Sequence, residues 1–328
     1  MIIKTPSRLH MSLIDLNGSY GRADGGIGLT INEPHFTLFA EESEKGITVD
    51  FENCIDNNDI KDECIKKINS AAEKIIDYYN IDSGFYFKVN DAFFPHSGFG
   101  SGTQIGLATS KLITEFAGIK TNSIKLGEII GRGGTSGIGI FSFDHGGFIV
   151  DGGHSLKEKD TFLPSSASVA KPPQLIGRYD FPEDWEILIA IDNADTSVTG
   201  KKEIDIFQEY CPVPKSEVEQ LSHIIFMNLV PFLLEKDIES FGHSIDLIQT
   251  KGFKKVEVNL QPNKIKNLMD FMRDSGAYGV GMSSFGPTVY SVFDKNNKDI
   301  VKSTKDYLGD DGIVFTTKAQ NHGHEIYK

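Results

Sequence analysis

Chemistry on anions calls for exposed backbone N–H groups, guanidinium or ammonium groups, and glycines that let a ligand approach closely. The stretch Pro95-His96-Ser97-Gly98-Phe99-Gly100-Ser101-Gly102-Thr103-Gln104 has this character. Before it, Phe85, Phe87 and Val89 alternate with Tyr86 and Lys88, which predicts a strand over Gly84 to Asn90. After it, Ile105, Ala108, Leu112, Ile113 and Phe116 recur at helical spacing. The loop therefore joins a strand to the first turn of a helix. Unpaired N–H groups and the positive end of the helix dipole there favour an anion, most naturally phosphate. Ser101 and Thr103 add hydroxyls. A tight connection with a Ser/Thr helix cap is the plainer alternative. Neither Gly-x4-Gly-Lys-Ser/Thr nor Gly-x-Gly-x-x-Gly occurs in the chain.

Other stretches carry reactive groups among glycines. Asp15 to Ile31 holds Gly18, Gly21, Gly25, Gly26 and Gly28 around Arg22 and Asp24. This is either backbone wrapped about a ligand or a long hairpin with glycine turns. Arg132 stands between Gly131 and the pair Gly133-Gly134, which aims its side chain. Phe141 to His154 reads as a hairpin turning near Asp144 to Gly147, with Asp151 and His154 at its far end. Ser283-Ser284-Phe285-Gly286-Pro287-Thr288 runs into a strand over 287–293.

The elements that position these groups follow from periodicity. Residues 2–14 predict a strand interrupted at Pro6, and residues 35–40 and 47–51 two more. Helices are predicted over 61–80, with Cys64, Ile68, Ala71, Ala72, Ile75, Ile76 and Tyr79 on its buried face, and over 123–131, with Ser123 as cap. Residues 155–184 lack periodicity and place a boundary near residue 165, giving domains 1–165 and 166–328. Beyond it come a buried strand over 185–191, a polar loop over 192–202, helices near 215–234, 236–250 and 262–276, and a short strand at Val256 and Val258. A helix over 299–308 and a strand over 312–317 precede a tail, His322-Gly323-His324, that reads as a solvated end rather than a metal site.

The 328 residues suffice for a large core, and a formal net charge of -13 speaks against a nucleic-acid surface. An acidic chain that binds an anion needs local cations or Mg²⁺ at the site. Cys54, Cys64 and Cys211 are widely spaced and read as ordinary thiols in a reducing cytoplasm. No apolar run predicts a membrane span, and Met1 leads straight into a strand without a signal peptide.

Three glycine-rich stretches in this order resemble the GHMP kinase superfamily across essentially the whole chain. They are Pro6-Ser7-Arg8 with Gly25-Gly26-Ile27-Gly28, the loop 95–104, and Ser283 to Thr288. The resemblance implies an α+β fold: an N-terminal mixed sheet with a left-handed βαβ unit, a C-terminal ferredoxin-like domain, and the phosphate loop in the cleft between them. Two departures bear on activity. The second serine of the kinase Gly-Ser-Ser triplet, which commonly helps hold Mg²⁺, is Gly102 here. The aspartate of the kinase Pro-Ser-Gly-x-Asp motif is Gly139, which can neither take a proton nor orient a hydroxyl.

Ser7-Arg8-Leu9-His10, Gly21-Arg22-x-Asp24-Gly25-Gly26, Gly131 to Gly139 and His145 to His154 resemble one branch of that superfamily, the archaeal β-ribofuranosylaminobenzene 5'-phosphate synthases. The resemblance implies joining phosphoribosyl pyrophosphate (PRPP) to 4-hydroxybenzoate or 4-aminobenzoate, with loss of CO2 and pyrophosphate, early in methanopterin synthesis. The alternative is an ATP-dependent small-molecule kinase of the GHMP type, and a third reading is a non-catalytic phosphate-binding protein. For the synthase, Asp24 is the first choice and Asp15 the second to stabilise positive charge on the ribose. His10, His145 and His154 are candidate bases. Arg8, Arg22, Arg132, Gly98, Gly100, Ser101, Gly102, Thr103, Gln104, Ser136, Ser284 and Gly286 are candidate contacts to substrate, and Mg²⁺ is the expected cofactor on pyrophosphate. Small-molecule substrates are the expected partners; the sequence leaves a homodimer open.

Overall fold

Two long antiparallel strands, β1 (Ile2–Asp15) and β2 (Arg22–Ser43), form the hairpin on which the first sheet is built. A computed structural model describes residues 1–53, 55–93, 97–192 and 200–328. Pro95 and His96 of the glycine loop, Cys54, and 193–199 of the expected polar loop lie outside the described residues. The run Asp15 to Ile31 is the hairpin with glycine turns. Pro6 does not end β1; it sits where the pairing with β2 shifts register, because proline donates no ladder hydrogen bond.

β2 also pairs with β4 (Gly84–Asp91), which runs parallel to β3 (Ile47–Phe51) through the intervening helix α1 (Asn58–Tyr79). Helices α2 (Ser101–Phe116) and α3 (Ser123–Ile130) pack against α1. Asn122 caps α3 by accepting the Lys125 N–H, and Ser123 instead donates to Asp144, so the cap lies one residue before the expected one.

The expected hairpin over 141–154 is not formed. α4 (Ile138–Asp144) occupies its first half, and only β5 (Phe148–Asp151) and the short β6 (His154–Ser155) are extended. Ile138, Ile140, Phe141 and Phe143 are buried on all sides of this two-turn helix, so no amphipathic period marks it. β7 (Leu175–Tyr179) pairs with β5, so the stretch expected as a linker contributes a strand to the first sheet.

The second sheet has the order β11-β8-β10-β9 and is antiparallel throughout. Its strands are β8 (Glu186–Asp192), β9 (Val280–Met282), β10 (Thr288–Phe293) and β11 (Gly312–Thr317). Around them lie α5 (Lys201–Tyr210), α6 (Lys215–Ile224), which continues through a wider turn into α7 (Val230–Glu235), α8 (Ile238–Gln249), α9 (Gly252–Asn259), α10 (Asn263–Asp274) and α11 (Asp299–Leu308). α9 replaces the short strand expected at Val256 and Val258. Its buried residues, Phe253, Lys254 and Glu257, follow helical spacing, and two β-branched residues do not outweigh that. Lys201 and Lys202 open α5 rather than closing a loop.

The last strand, β12 (Glu325–Tyr327), returns to pair with β1, and Ala319 bridges to Ile31. The cut expected at residue 165 therefore does not separate the sheets: β7 and β12 lie beyond it and belong to the first. Nor is the tail a solvated end. His324 stacks on Phe143 with ring centroids 4.0 Å apart and bonds through Nδ1 to the Phe143 carbonyl. One apolar core joins the sheets, from Leu9, Ile27 and Phe87 to Trp185, Ile189, Phe241 and Tyr290. Among the described residues no helix is long and apolar enough to cross a membrane.

Candidate active site

The glycine-rich loop reaches α2 through backbone that only glycine takes readily. Gly98 and Gly100 have φ of 78° and 83°. Gly100 is the cap residue of α2, and no side chain caps the helix. The first-turn N–H groups of Ser101 and Gly102 therefore have no described partner, and both residues line a cleft of about 290 Å³.

Three cations surround this loop. The Arg8 guanidinium donates to the Gly98 carbonyl and lies against Gly100. Burial brings its pKa down to about 10, with Glu257 opposing the shift, so it stays charged at neutral pH. Lys67 and Arg132 approach from the other side: a Cβ at Gly102 would lie 2.8 Å from Lys67 Nζ and 3.0 Å from Arg132 Nη2. Burial lowers the Arg132 pKa as well, and the Glu63 charge opposes it. Lys67 pairs with Glu63, whose Oε1 also accepts from Ser101 Oγ at 3.2 Å.

The three glycine-rich stretches meet physically. Ser283 Oγ donates to the Gly98 carbonyl at 2.8 Å and accepts the His10 N–H at 3.0 Å. The Ser284 N–H donates to the His10 carbonyl, and Thr288 Oγ1 donates to the Ser97 carbonyl. Ser284 and Gly286, with φ of 52° and 71°, line the cleft opposite the loop. Behind them lies a buried ion pair on α9. Lys254 bonds Glu257 and donates to the carbonyls of Met282 at 3.1 Å and Ser284 at 3.3 Å.

A side chain at Gly139 would press on Thr103. A Cβ there would lie 3.1 Å from Thr103 Cγ2, and the Gly139 carbonyl accepts from Gln104 Nε2 at 2.7 Å. Gln104 is thus a buried brace between α2 and α4 and is not among the described cleft-lining residues.

Several candidates stand elsewhere than the expected role requires. Asp24 is 1% exposed and lies behind the residues that line the cleft. Its Oδ2 accepts from His154 Nδ1 at 2.6 Å and Lys159 Nζ at 2.9 Å. Lys159 also donates to the Gly134 carbonyl and to Thr135 Oγ1, and Thr135 lines the cleft, so Asp24 reaches the site at one remove. Burial opposes a charged His154, but the Asp24 hydrogen bond and charge outweigh it and raise its pKa. Asp15 accepts the N–H groups of Asn17 and Gly18 and shapes the β1–β2 turn. Arg22 is exposed and donates to the carbonyls of Gly152 and Gly153. His145 ends α4 and stacks on Phe141. None of these five is among the described cleft-lining residues.

His10 does line the cleft. Burial, then Arg8 and Lys254, hold its pKa well below the usual value, and its Nδ1 has no described partner. Ser136 lines the cleft too, its hydroxyl fixed by Asp151, which burial pushes up to about 6 despite bonds from the Gly153 and Gly137 N–H groups and from Ser136. Lys67, Glu203, Phe207 and Glu257 are cleft residues that carry no glycine-rich signal, and the sequence does not single them out.

A mixed sheet, a ferredoxin-like second layer and a glycine-lined cleft between them define the GHMP kinase fold. Residues 229–304 match the family GHMP kinases C terminal. Solved structures agree: mevalonate kinase from Methanococcus jannaschii superposes with a TM-score of 0.69 at 17% identity, covering 98% of each chain. Homoserine kinase from Cytophaga hutchinsonii does so with 0.67 at 16% identity, covering 100% of this chain and 97% of that one. At such identities the likeness concerns the fold alone. Sequence relatives are nearer. The β-ribofuranosylphenol 5'-phosphate synthase of Methanothermobacter thermautotrophicus is 50% identical over 100% of this chain and 99% of its own. That of Archaeoglobus fulgidus is 44% identical over 99% and 98%. The chain belongs to the β-ribofuranosylphenol 5'-phosphate synthase family.

Proposed function

We propose that this protein joins C1 of PRPP to the carboxyl-bearing ring carbon of 4-hydroxybenzoate, releasing CO2 and pyrophosphate, in methanopterin biosynthesis. The observation that carries this reading is the trio Arg8, Lys67 and Arg132 around an uncapped glycine loop, in a cleft where Gly139 replaces the kinase acid. The phenol in the relatives' name favours the hydroxylated acceptor over the amino one.

Pyrophosphate fits the N–H groups of Ser101 and Gly102, with Lys67 and Arg132 stabilising the charge it gains on leaving C1. Leu13, Phe207 and Phe285 give the cleft an apolar wall suited to the acceptor ring. That wall also keeps water from the sugar cation. An apolar setting favours loss of a carboxylate as CO2, because it withholds the solvation that stabilises the anion. Among the described residues no cluster of three or more His, Cys, Asp or Glu forms a metal site. Glu63 and Ser101 are nonetheless hard oxygen donors beside the cradle, which fits Mg²⁺ held mainly by pyrophosphate and water. Bound there, Mg²⁺ would neutralise part of the pyrophosphate charge.

The test is product structure. The purified protein with PRPP, Mg²⁺ and 4-hydroxybenzoate is expected to yield a product whose NMR spectrum shows the anomeric carbon bonded to ring carbon. An O-linked or phosphorylated benzoate would contradict the reading.

A further inference from the structure

Glu203 lies on α5 one turn before Phe207, so the two side chains share a helix face, and both line the cleft. Phe207 packs on Phe253 at 4.6 Å between centroids, and Phe253 on Phe285 at 6.0 Å. A carboxyl group thus stands at the edge of the aromatic wall. Ser166 Oγ donates to its Oε2 at 3.3 Å, its only described hydrogen bond. Resting on the proposed reaction, we infer that Glu203 is the general base that takes the proton of the acceptor's para hydroxyl.

The step balances without another reagent. As the ring carbon forms its bond to C1, the C1–O bond breaks and its electron pair leaves with pyrophosphate. The hydroxyl proton passes to Glu203, leaving a ring carbonyl. The C–CO2 bond then breaks, its electrons restore the aromatic ring, and Glu203 returns the proton to oxygen.

The surrounding groups favour this assignment. Glu257, across the cleft on α9, is engaged by Lys254. His10 on β1 is a weak proton acceptor, because burial, then Arg8 and Lys254, hold its pKa well below the usual value. Burial, opposed by the Ser166 bond and aided by the Glu257 charge, pushes Glu203 up to about 7. A base is most effective when its pKa is near the operating pH.

The experiment compares wild type, Glu203→Gln and Glu203→Asp on two acceptors, 4-hydroxybenzoate and 3,5-difluoro-4-hydroxybenzoate. The fluorines acidify the hydroxyl, so this acceptor is already ionised at neutral pH and needs no base. With 4-hydroxybenzoate, Glu203→Gln is expected to lower kcat by about 100-fold or more. The wild-type fall in kcat below about pH 7 should give way in that variant to a rise that continues well above pH 7, following ionisation of the acceptor's own hydroxyl. With the difluoro acceptor the two enzymes should differ by less than about fivefold, because the proton-transfer contribution is gone. Glu203→Asp should keep the acid limb with reduced kcat, and PRPP binding by calorimetry should be unchanged in both variants. Equal losses on both acceptors, an acid limb still placed near pH 7 in Glu203→Gln, or loss of PRPP binding in both variants would overturn the assignment. A wild type that makes no product from PRPP and 4-hydroxybenzoate would instead remove the proposed reaction, and this inference with it.

Discussion

A Cβ at Gly102 would meet only the tips of Lys67 and Arg132, at 2.8 and 3.0 Å. Both can move, so the fold tolerates the change while the cations leave the cradle. Gly102→Val is expected to weaken PRPP binding by about 10–100-fold in calorimetry, the value of one charge-assisted hydrogen bond, with little change in Tm. Asp24 has the opposite balance. Asp24→Asn keeps the shape but leaves Lys159 buried without its counter-charge, and is expected to cost about 3–5 kcal/mol in urea unfolding. The pH dependence has a definite sign. Because His154 is raised in the fold, its contribution is complete below its ordinary value of 6.5 and fades as pH rises through the folded value. That loss on the alkaline side should be absent from Asp24→Asn. Glycine requirements were legible in the sequence because they are local: Gly98 and Gly100 need their backbone angles whatever surrounds them. The work of Asp24 was not, since its partner Lys159 is 135 residues away.

Helix α9 shows how an element holds the site without entering the reaction. Lys254 ties the carbonyls of Met282 and Ser284, and so fixes the loop that faces the phosphate cradle. Lys254→Met should destabilise the protein by about 3–5 kcal/mol by stranding Glu257. Adding Glu257→Gln should recover most of that loss in urea titrations. PRPP binding should stay weak in both, because the tether is gone. Normal binding in the double variant would show that the tether is dispensable. Elements with a clear period and one buried face, such as α1, were legible, whereas α4 and α9 were not. In α4 burial on every side erases the period; in α9 the buried face includes Lys254 and Glu257 beside Phe253, and hydropathy reads those two as surface.

Taken across the chain, an acidic protein of formal net charge -13 concentrates Arg8, Lys67 and Arg132 in one cleft. Three stretches far apart in sequence are drawn there by the hydroxyls of Ser283 and Thr288 and the Ser284 N–H, which bond to β1 and the glycine loop. Their order already pointed to this fold, but cleft residues on plain helices, Lys67 and Glu203, emerge only when the chain is folded. Gly139, expected from the sequence to stand where GHMP kinases carry an aspartate, packs against Thr103. The most direct measurement is stoichiometry. With PRPP, Mg²⁺ and carboxyl-labelled 4-hydroxybenzoate, and no ATP, the full chain is expected to release labelled CO2 and pyrophosphate in equal amounts. Absence of both, together with steady ADP formation from ATP and an alcohol, would contradict the account.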